Sequence, residues 1–191
     1  MFKKAIPAPA GTQVKAVGVF TGPAGRLWIA FGDRDTVWVT RTSKALSRFE
    51  PLQTLAAPAG AFNLLRLEGE GSTGPLDLFA DVLVNGGSKD GSYFQHVLPL
   101  LSAGATARPV KSANGKVKAY VVTVRVSDVG DPLAGASVSG FLGAPRKTGV
   151  AGTVMPGRGR IAFSVVAPNY IGAKTSVGSD RAHVGHSREA F

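Results

Sequence analysis

The stretch KVKAYVVTVRVSDVGDPLAGASVSGFL, residues Lys116–Leu142, alternates apolar and polar side chains with a period of two. This period is typical of a β-strand with one buried face. The apolar positions are Val117, Ala119, Val121 or Val122, Val124 and Val126. Residues 128–132 then combine Asp, Gly and Pro, which favour a turn, and a second apolar run begins at Gly135. We therefore predict a β-hairpin whose second strand covers residues 135–139.

Similar short segments recur along the rest of the chain, separated by Gly- and Pro-rich turns such as 22–25 and 85–87. No segment of about eleven residues shows a helical period. The sequence therefore predicts an all-β protein. The remaining predicted strands are 13–20, 26–32, 36–42, 51–57 at a sheet edge, 62–68, 76–84, 92–99, 160–167 and 173–177.

Composition divides the chain into two β regions. Residues 102–112 are rich in Ala, Gly, Ser and Thr and contain a Pro, so we predict the domain boundary inside this segment. The predicted organisation is an irregular N-terminus at 1–12, β regions at 13–105 and 106–178, and a disordered tail at 179–191.

Positive charge is concentrated in the second half of the chain. The formal charge is 22 − 12 = +10; residues 1–100 contribute 10 − 8 = +2 and residues 101–191 contribute 12 − 4 = +8. A basic surface favours anionic partners, whereas singly scattered charges are also typical of an ordinary solvated surface. The absence of cysteine excludes a disulfide scaffold.

No segment has the composition of a membrane span or of a signal peptide. The start, MFKKAIPAPAG, has two lysines but lacks the apolar region that a signal peptide needs. No run of about 18 apolar residues occurs. We expect either that the protein stays inside the cell or that the sequence is part of a longer one.

The second region resembles the small immunoglobulin-like or carboxypeptidase-regulatory-like sandwiches of bacterial surface and secreted proteins. The resemblance rests on TVRVSDVGDPLAGASVSG (123–140), on the turn around Thr148–Gly152, and on the closing segment around Tyr170. It covers about residues 108–178. It implies a β-sandwich in which Tyr170 caps one end.

The first region is similar to a terminal blade of sialidase-like β-propellers from secreted actinobacterial proteins. The segment GRLWIAFGDRDTVWVTRTSKALSRFEPLQTLAAPAG (25–60) carries this similarity, which covers about residues 13–99. The resemblance implies an extracellular protein: an incomplete, propeller-like antiparallel sheet followed by the immunoglobulin-like sandwich. The Asp-box of such propellers, SxDxGxTW, is absent, and the predicted strands suffice for only one or two blades.

Two tryptophans and their polar neighbours are the candidate ligand-binding residues of the first region. Exposed aromatic rings stack on sugars, while flanking charged groups bind the hydroxyls. The set is Trp38, Trp28, Arg41, Asp33 and Asp35. We also expect that Trp28, within RLWIAF, can belong to the core, and that the two aspartates can simply cap a turn.

Four basic residues form a candidate patch for an anionic polymer in the second region: Arg146, Lys147, Arg158 and Arg160. No aromatic residues interleave with them, which disfavours single-stranded nucleic acid as a partner. The resemblance to sialidases would require a tyrosine nucleophile, but Tyr93 and Tyr120 lack an adjacent glutamate base, so we predict no catalytic residues. We predict no metal site, because the three histidines are too widely spaced, and no cofactor.

These observations favour a non-catalytic extracellular binding or spacer module whose partner is a carbohydrate or a cell-wall polymer. Two alternatives stay open. The first is a fragment of a sialidase-like glycoside hydrolase whose active site lies in further blades. The second is a basic nucleic-acid-binding protein, whose affinity would fall steeply with salt.

Overall fold

The computed structural model describes residues 5–6, 8–84, 86, 89–141, 145–148, 152–154 and 160–178. The chain divides into two compact units, Met1–Pro99 and Leu100–Phe191. Both consist of antiparallel sheets, and helical structure among the described residues is limited to a three-residue 3-10 turn, Pro23–Gly25, and to Gly86. The prediction of an all-β protein is confirmed.

The first unit contains two sheets of sequentially adjacent strands. In the first sheet the order is β1-β2-β3-β4, and in the second it is β5-β6-β7. The strands are β1 (Ala16–Thr21), β2 (Leu27–Gly32), β3 (Thr36–Arg41), β4 (Gln53–Ala56), β5 (Ala61–Glu70), β6 (Leu76–Val84) and β7 (Lys89–Val97). The edge strand predicted at 51–57 is β4, which pairs with β3 at the end of the sheet.

The two sheets of the first unit share one apolar core. The first sheet contributes Trp28, Val37 and Val39, and the second contributes Leu76 and Leu78, all at most 1% exposed. Alternate residues of each strand point into this core, so the intervening residues form two outer faces. The outer face of the second sheet is exposed at Phe79, whereas Ile29 and Phe31 on the outer face of the first sheet are buried.

The second unit is also built from two sheets around one core. In one sheet β9 is central, with β8 on one side and β10 and β13 on the other; the second sheet has the order β12-β11-β14-β15. The strands are β8 (Ser102–Lys111), β9 (Val117–Asp128), β10 (Asp131–Pro132), β11 (Ser137–Ser139), β12 (Arg146–Lys147), β13 (Gly152–Val154), β14 (Arg160–Val166) and β15 (Ala173–Gly178).

The hairpin predicted within Lys116–Leu142 is shorter than expected. The predicted pairing of its second strand, residues 135–139, with the first was wrong. After β9 the chain turns through Val129 and Gly130, both at positive φ, and across this turn only the two residues of β10 pair back with β9. Residues 137–139 form β11, which pairs with β14 in the opposite sheet. Val138 therefore reaches the core from the other side, and the sequence pattern of a buried strand is the same from either side.

The boundary between the two units lies between Pro99 and Leu100, earlier than the predicted division at 105/106. Residues 102–111, which span the predicted boundary, form β8 and pair along their length with β9. The small side chains Ala103, Ala105 and Ala107 lie opposite Val126, Val124 and Val122, so packing against a valine-rich strand outweighs weak strand propensity.

Other differences are local. Residues 43–49 form a loop, and Gly152, expected in a turn, begins β13. Residues 5–6 and 8–12 of the irregular N-terminus carry no strand. The tail predicted at 179–191 and much of the turn around 149–151 lie outside the described residues, as do Asn85 and Gly87.

Candidate functional site

Trp28 and Arg41, predicted to bind ligand, are both fully buried on the inner side of the first sheet. The Trp28 indole N–H donates to the carbonyl of Gly74 at 3.0 Å, and the Arg41 guanidinium lies 5.1 Å from the Trp28 ring centroid. Arg41 also pairs with the buried Glu50, with 3.8 Å between Nε and Oε2. We therefore remove both residues from the candidate site, because an external ligand cannot reach them.

Trp38 lies on the outer face of the same sheet and is half-buried. Its ring stacks on Phe31 with 5.8 Å between centroids and 28° between planes. Val17 and Thr54 occupy the same row of the sheet, so this row offers Trp38 apolar contact and one hydroxyl. Trp38 stays a candidate for stacking, without the polar partners that were expected beside it.

Asp33 and Asp35 hold the turn between β2 and β3. The Asp33 carboxylate accepts the backbone N–H of Gln13 at 3.2 Å, and Asp35 accepts the Thr36 hydroxyl at 3.1 Å. The Asp33 contact ties residue 13, 20 positions earlier in the chain, to this turn, and neither contact is to a backbone N–H of the turn itself. No cluster of three His, Cys, Asp or Glu side chains that could hold a metal ion occurs in the described part of the chain.

The basic patch predicted in the second unit is only partly described. Arg146 lies over the ring of Phe141, 5.7 Å from its centroid, and the ammonium of Lys147 donates to the Ser137 hydroxyl at 3.0 Å. Arg160 begins β14, where only its backbone is described, and Arg158 lies outside the described residues. Arg146 and Lys147 are thus adjacent on β12, and their proximity to the other two stays a prediction.

Among the described residues, the most exposed aromatic pair lies on the outer face of the second sheet, at positions for which the sequence predicted no ligand contact. Phe79 of β6 and Phe94 of β7 are directly opposite each other in register. They are 51% and 52% exposed, and their ring centroids are 5.1 Å apart at an interplanar angle of 54°. Exposed apolar side chains are common singly, but a contacting aromatic pair forms a patch that a ligand can use.

Polar side chains surround this pair on three neighbouring strands. The register places them in three rows, which together we call the Phe79–Phe94 face: Glu70, Asp77 and His96; Glu68, Phe79 and Phe94; Arg66, Asp81 and Ser92. Every row crosses all three strands, so the aromatic rings have hydrogen-bonding groups on either side along the strand direction.

Hydrogen bonds fix several of these polar groups. The Asp77 carboxylate lies 2.6 Å from Nδ1 of His96, and the Ser92 hydroxyl donates to Asp81 at 2.6 Å. The Arg66 guanidinium pairs with Glu68 and lies 3.8 Å from Asp81, measured from Nε to Oδ2. The contacts hold the carboxylates in place around the rings, while each side chain of these ion pairs keeps at least 41% exposure to solvent.

The Phe79–Phe94 face is negatively charged within a basic protein. It holds four carboxylates and one guanidinium, a formal charge of −3 with His96 neutral. At its edge, the hydroxyl and backbone N–H of Ser72 hold the pKa of Glu70 below its ordinary value of 4.5. Glu70 thus stays ionised at neutral pH, and the face repels anions.

The sequence alone predicts part of this face, namely the residues that β6 contributes to it. In LDLFADVLV, Asp77, Phe79 and Asp81 alternate with residues that are buried, so a strand must place all three on one side. The predicted strand at 76–84 matches β6 at both ends, and the same-side placement of Asp77 and Asp81 is confirmed. The pairing of Phe79 with Phe94 depends on the β6–β7 register, which the pattern alone does not specify.

Comparisons with known proteins identify no relative. No protein-family model, no curated protein and no solved structure matches this chain. Among the described residues, no helix is long and apolar enough to cross a membrane. The Phe79–Phe94 face and its chemistry are therefore the basis on which a function can be argued.

Proposed function

We propose that this protein is a non-catalytic extracellular binding module and that the Phe79–Phe94 face binds a neutral carbohydrate. The observation that carries this proposal is an exposed aromatic pair bordered on both sides by fixed carboxylates. The extracellular location follows from the resemblance to secreted bacterial sandwiches and propellers.

A sugar ring has an apolar face of C–H groups and an equatorial rim of hydroxyls. The apolar face suits Phe79 and Phe94, because both rings can bury area against it. The hydroxyls suit Asp77 and Asp81, because hydrogen bonds to ionised acceptors are stronger than neutral ones. Together the rings supply contact area and the carboxylates supply orientation, which is how mostly apolar sites gain specificity.

The charge of the face selects among carbohydrates. Four carboxylates would lie next to any acidic group of a bound sugar. Within the face, Arg66 alone carries a positive charge that offsets their repulsion. Like charges placed opposite one another disfavour the wrong partner. Uncharged hexose chains are therefore preferred over polymers of uronic or sialic acid.

Isothermal titration calorimetry with cellohexaose, a neutral hexose oligomer, tests this proposal. We expect binding in roughly the millimolar range, and about tenfold weaker binding for Phe79→Ala or Phe94→Ala, which corresponds to about 1.4 kcal/mol. Asp77→Asn should also weaken binding, because it replaces an ionised acceptor by a neutral amide. Oligogalacturonate, the acidic counterpart, should not bind.

Val17→Ala is the matched control, since Val17 is an exposed apolar residue on the other sheet and 61% exposed. Its affinity should equal that of the wild type. If Trp38→Ala weakens binding and the Phe79 variant does not, the site lies on the first sheet and our assignment is wrong. If no neutral oligomer binds, the module is a spacer.

A second candidate function is supported by apolar exposure on both outer faces of the first unit. Val17 and Val19 are exposed on β1 at 61% and 58%, and Phe79 and Phe94 are exposed on the opposite side. Sheets stacked in a propeller need apolar contacts on both faces. We propose as the alternative that this unit belongs to a sialidase-like glycoside hydrolase. In-frame four-stranded repeats encoded upstream of Met1 would favour it over an independent glycan-binding module.

A further inference from the structure

Positive charge is concentrated at the far end of the β8–β9 hairpin, in residues Arg108–Lys118, which we call the basic hairpin end. Its sequence, RPVKSANGKVK, holds four cations and no carboxylate. The four are Arg108 and Lys111 on β8, Lys116 at the turn and Lys118 on β9, and all four are exposed. This set differs from Arg146, Lys147, Arg158 and Arg160, the residues expected to form the basic patch.

The hairpin end has a defined backbone. The Ser112 N–H donates to the carbonyl of Lys116 at 2.8 Å, and the Gly115 N–H donates to the carbonyl of Ser112 at 2.9 Å. Gly115 has a φ of 79°, which glycine adopts at little cost. The side-chain oxygen of Asn114 accepts the Lys116 N–H at 3.3 Å. The cations are therefore displayed on a closed turn with its own hydrogen bonds.

The cations lie on both strands of the hairpin, and the register of the two strands shifts between them. Val110 pairs with Ala119 and Lys111 pairs with Val117, so Lys118 is the extra residue of a β-bulge. On the described strands, the third partner of β9, β13, reaches only as far as Tyr120. Among the described residues, positions 110–119 therefore pair only with each other, in a ribbon about 5 Å wide between backbones, whereas Arg108 lies opposite Val121, which also pairs with Thr153 of β13. Arg108 and Lys111 are about 10 Å apart along β8.

We propose that the basic hairpin end binds double-stranded nucleic acid through its phosphates, without reading its sequence. A duplex presents two rows of phosphates across a groove about 12 Å wide, which admits a two-stranded ribbon. Cations on both strands of the hairpin can meet both rows, whereas a single-chain polyanion offers one row. The absence of aromatic residues between Arg108 and Lys118 removes the stacking platform that single strands use.

The chemistry of these cations sets the expected specificity. Lysines act as point charges on phosphates, and backbone phosphate contacts carry no direct sequence information. Affinity should therefore be similar for duplexes of different sequence. It should depend steeply on salt, because each neutralised phosphate releases condensed counterions.

The test is fluorescence anisotropy of a labelled mixed-sequence DNA duplex of about 24 base pairs, titrated with the full chain at several salt concentrations. Four phosphate contacts predict a slope of log affinity against log salt near −3.6, at about −0.9 for each contact. The double variant Lys111→Gln/Lys116→Gln should make that slope shallower by about 1.8. Arg108→Gln/Lys118→Gln should cause the same change.

The matched control is Lys15→Gln/Arg34→Gln, which removes the same charge from two exposed positions of the first unit. It should leave the slope unchanged, and circular dichroism should show all variants folded. An equal loss in control and hairpin variants would mean that net charge alone drives binding and would overturn the proposal. So would equal competition by sodium polyphosphate and unlabelled duplex at matched phosphate concentration, because a single row of charges would then suffice.

Discussion

Tyr170→Phe should destabilise the protein, because the hydroxyl of Tyr170 binds a buried carboxylate. The Tyr170 O–H donates to Oδ2 of Asp128 at 2.9 Å, and Asp128, the last residue of β9, is only 4% exposed. The bond joins the turn before β15 to the end of β9, 42 residues away in the chain. The sequence resemblance implies that Tyr170 caps one end of a sandwich, and that role stays a prediction.

The magnitude follows from the charge and burial of the acceptor. A hydrogen bond to a charged group contributes about 1.5–3 kcal/mol, and removing the donor leaves the buried carboxylate without that bond. Phenylalanine keeps the ring and its packing, so the loss is confined to the hydroxyl. We expect the free energy of unfolding to fall by about 2 kcal/mol. With an m-value of about 2 kcal/mol/M in urea, the midpoint should fall by about 1 M.

Urea unfolding of the full chain, followed by far-ultraviolet circular dichroism, measures this change. Tyr93→Phe is the matched control, because the Tyr93 hydroxyl is buried and no described residue gives it a hydrogen bond. That control should be neutral or slightly stabilising. A double-mutant cycle with Asp128→Ala should give a coupling energy of at least about 1 kcal/mol. Equal midpoints for Tyr170→Phe and Tyr93→Phe would refute the reasoning.

Two further predictions concern the first unit. Gly71→Ala should lower the free energy of unfolding by about 1–3 kcal/mol, because an added Cβ would lie 2.9 Å from Nε1 of Trp28 and disturb its bond to Gly74. Gly104→Ala, where nothing lies within 4 Å, should not. Burial raises the pKa of Tyr93 above 10.0, so the unfolded chain ionises first. The stability that Tyr93 contributes is therefore intact below about pH 10 and is lost as the pH rises above it. In Tyr93→Phe, the free energy of unfolding measured with urea should lack this fall at high pH.

The strands of this fold follow from period-two patterns wherever large apolar residues carry the alternation. β6 was predicted at both ends because Leu76, Leu78, Ala80 and Val82 alternate with Asp77, Phe79 and Asp81. β8 was missed because its inward positions are alanines, whose strand propensity is low and whose burial depends on the valines of β9. β11 was assigned to the wrong sheet for a different reason: the sequence of a short buried strand does not show which sheet it joins.

The candidate site was harder to predict than the fold, because it depends on which strands are neighbours. Trp28 and Trp38 lie on opposite sides of the first sheet, and the alternation of β2 and β3 around Phe31 and Val37 does not say which side is covered. Trp28 lies in the core, because its indole N–H donates to the carbonyl of Gly74 and its ring packs against Gly71. Burial of the large indole is favourable there because its N–H finds an acceptor.

The two proposed binding surfaces have opposite charge, and this makes them separable by one variable. The Phe79–Phe94 face would bind an uncharged ligand through ring contacts and short hydrogen bonds, which salt screens little. The basic hairpin end would bind through counterion release, so its affinity must fall with added salt. Raising the salt from about 50 mM to about 200 mM should therefore leave cellohexaose binding nearly unchanged while duplex binding falls by about two orders of magnitude, as a slope near −3.6 requires. If both affinities fell together, a single electrostatic surface would account for both ligands, and the division of function between the two units would have to be abandoned.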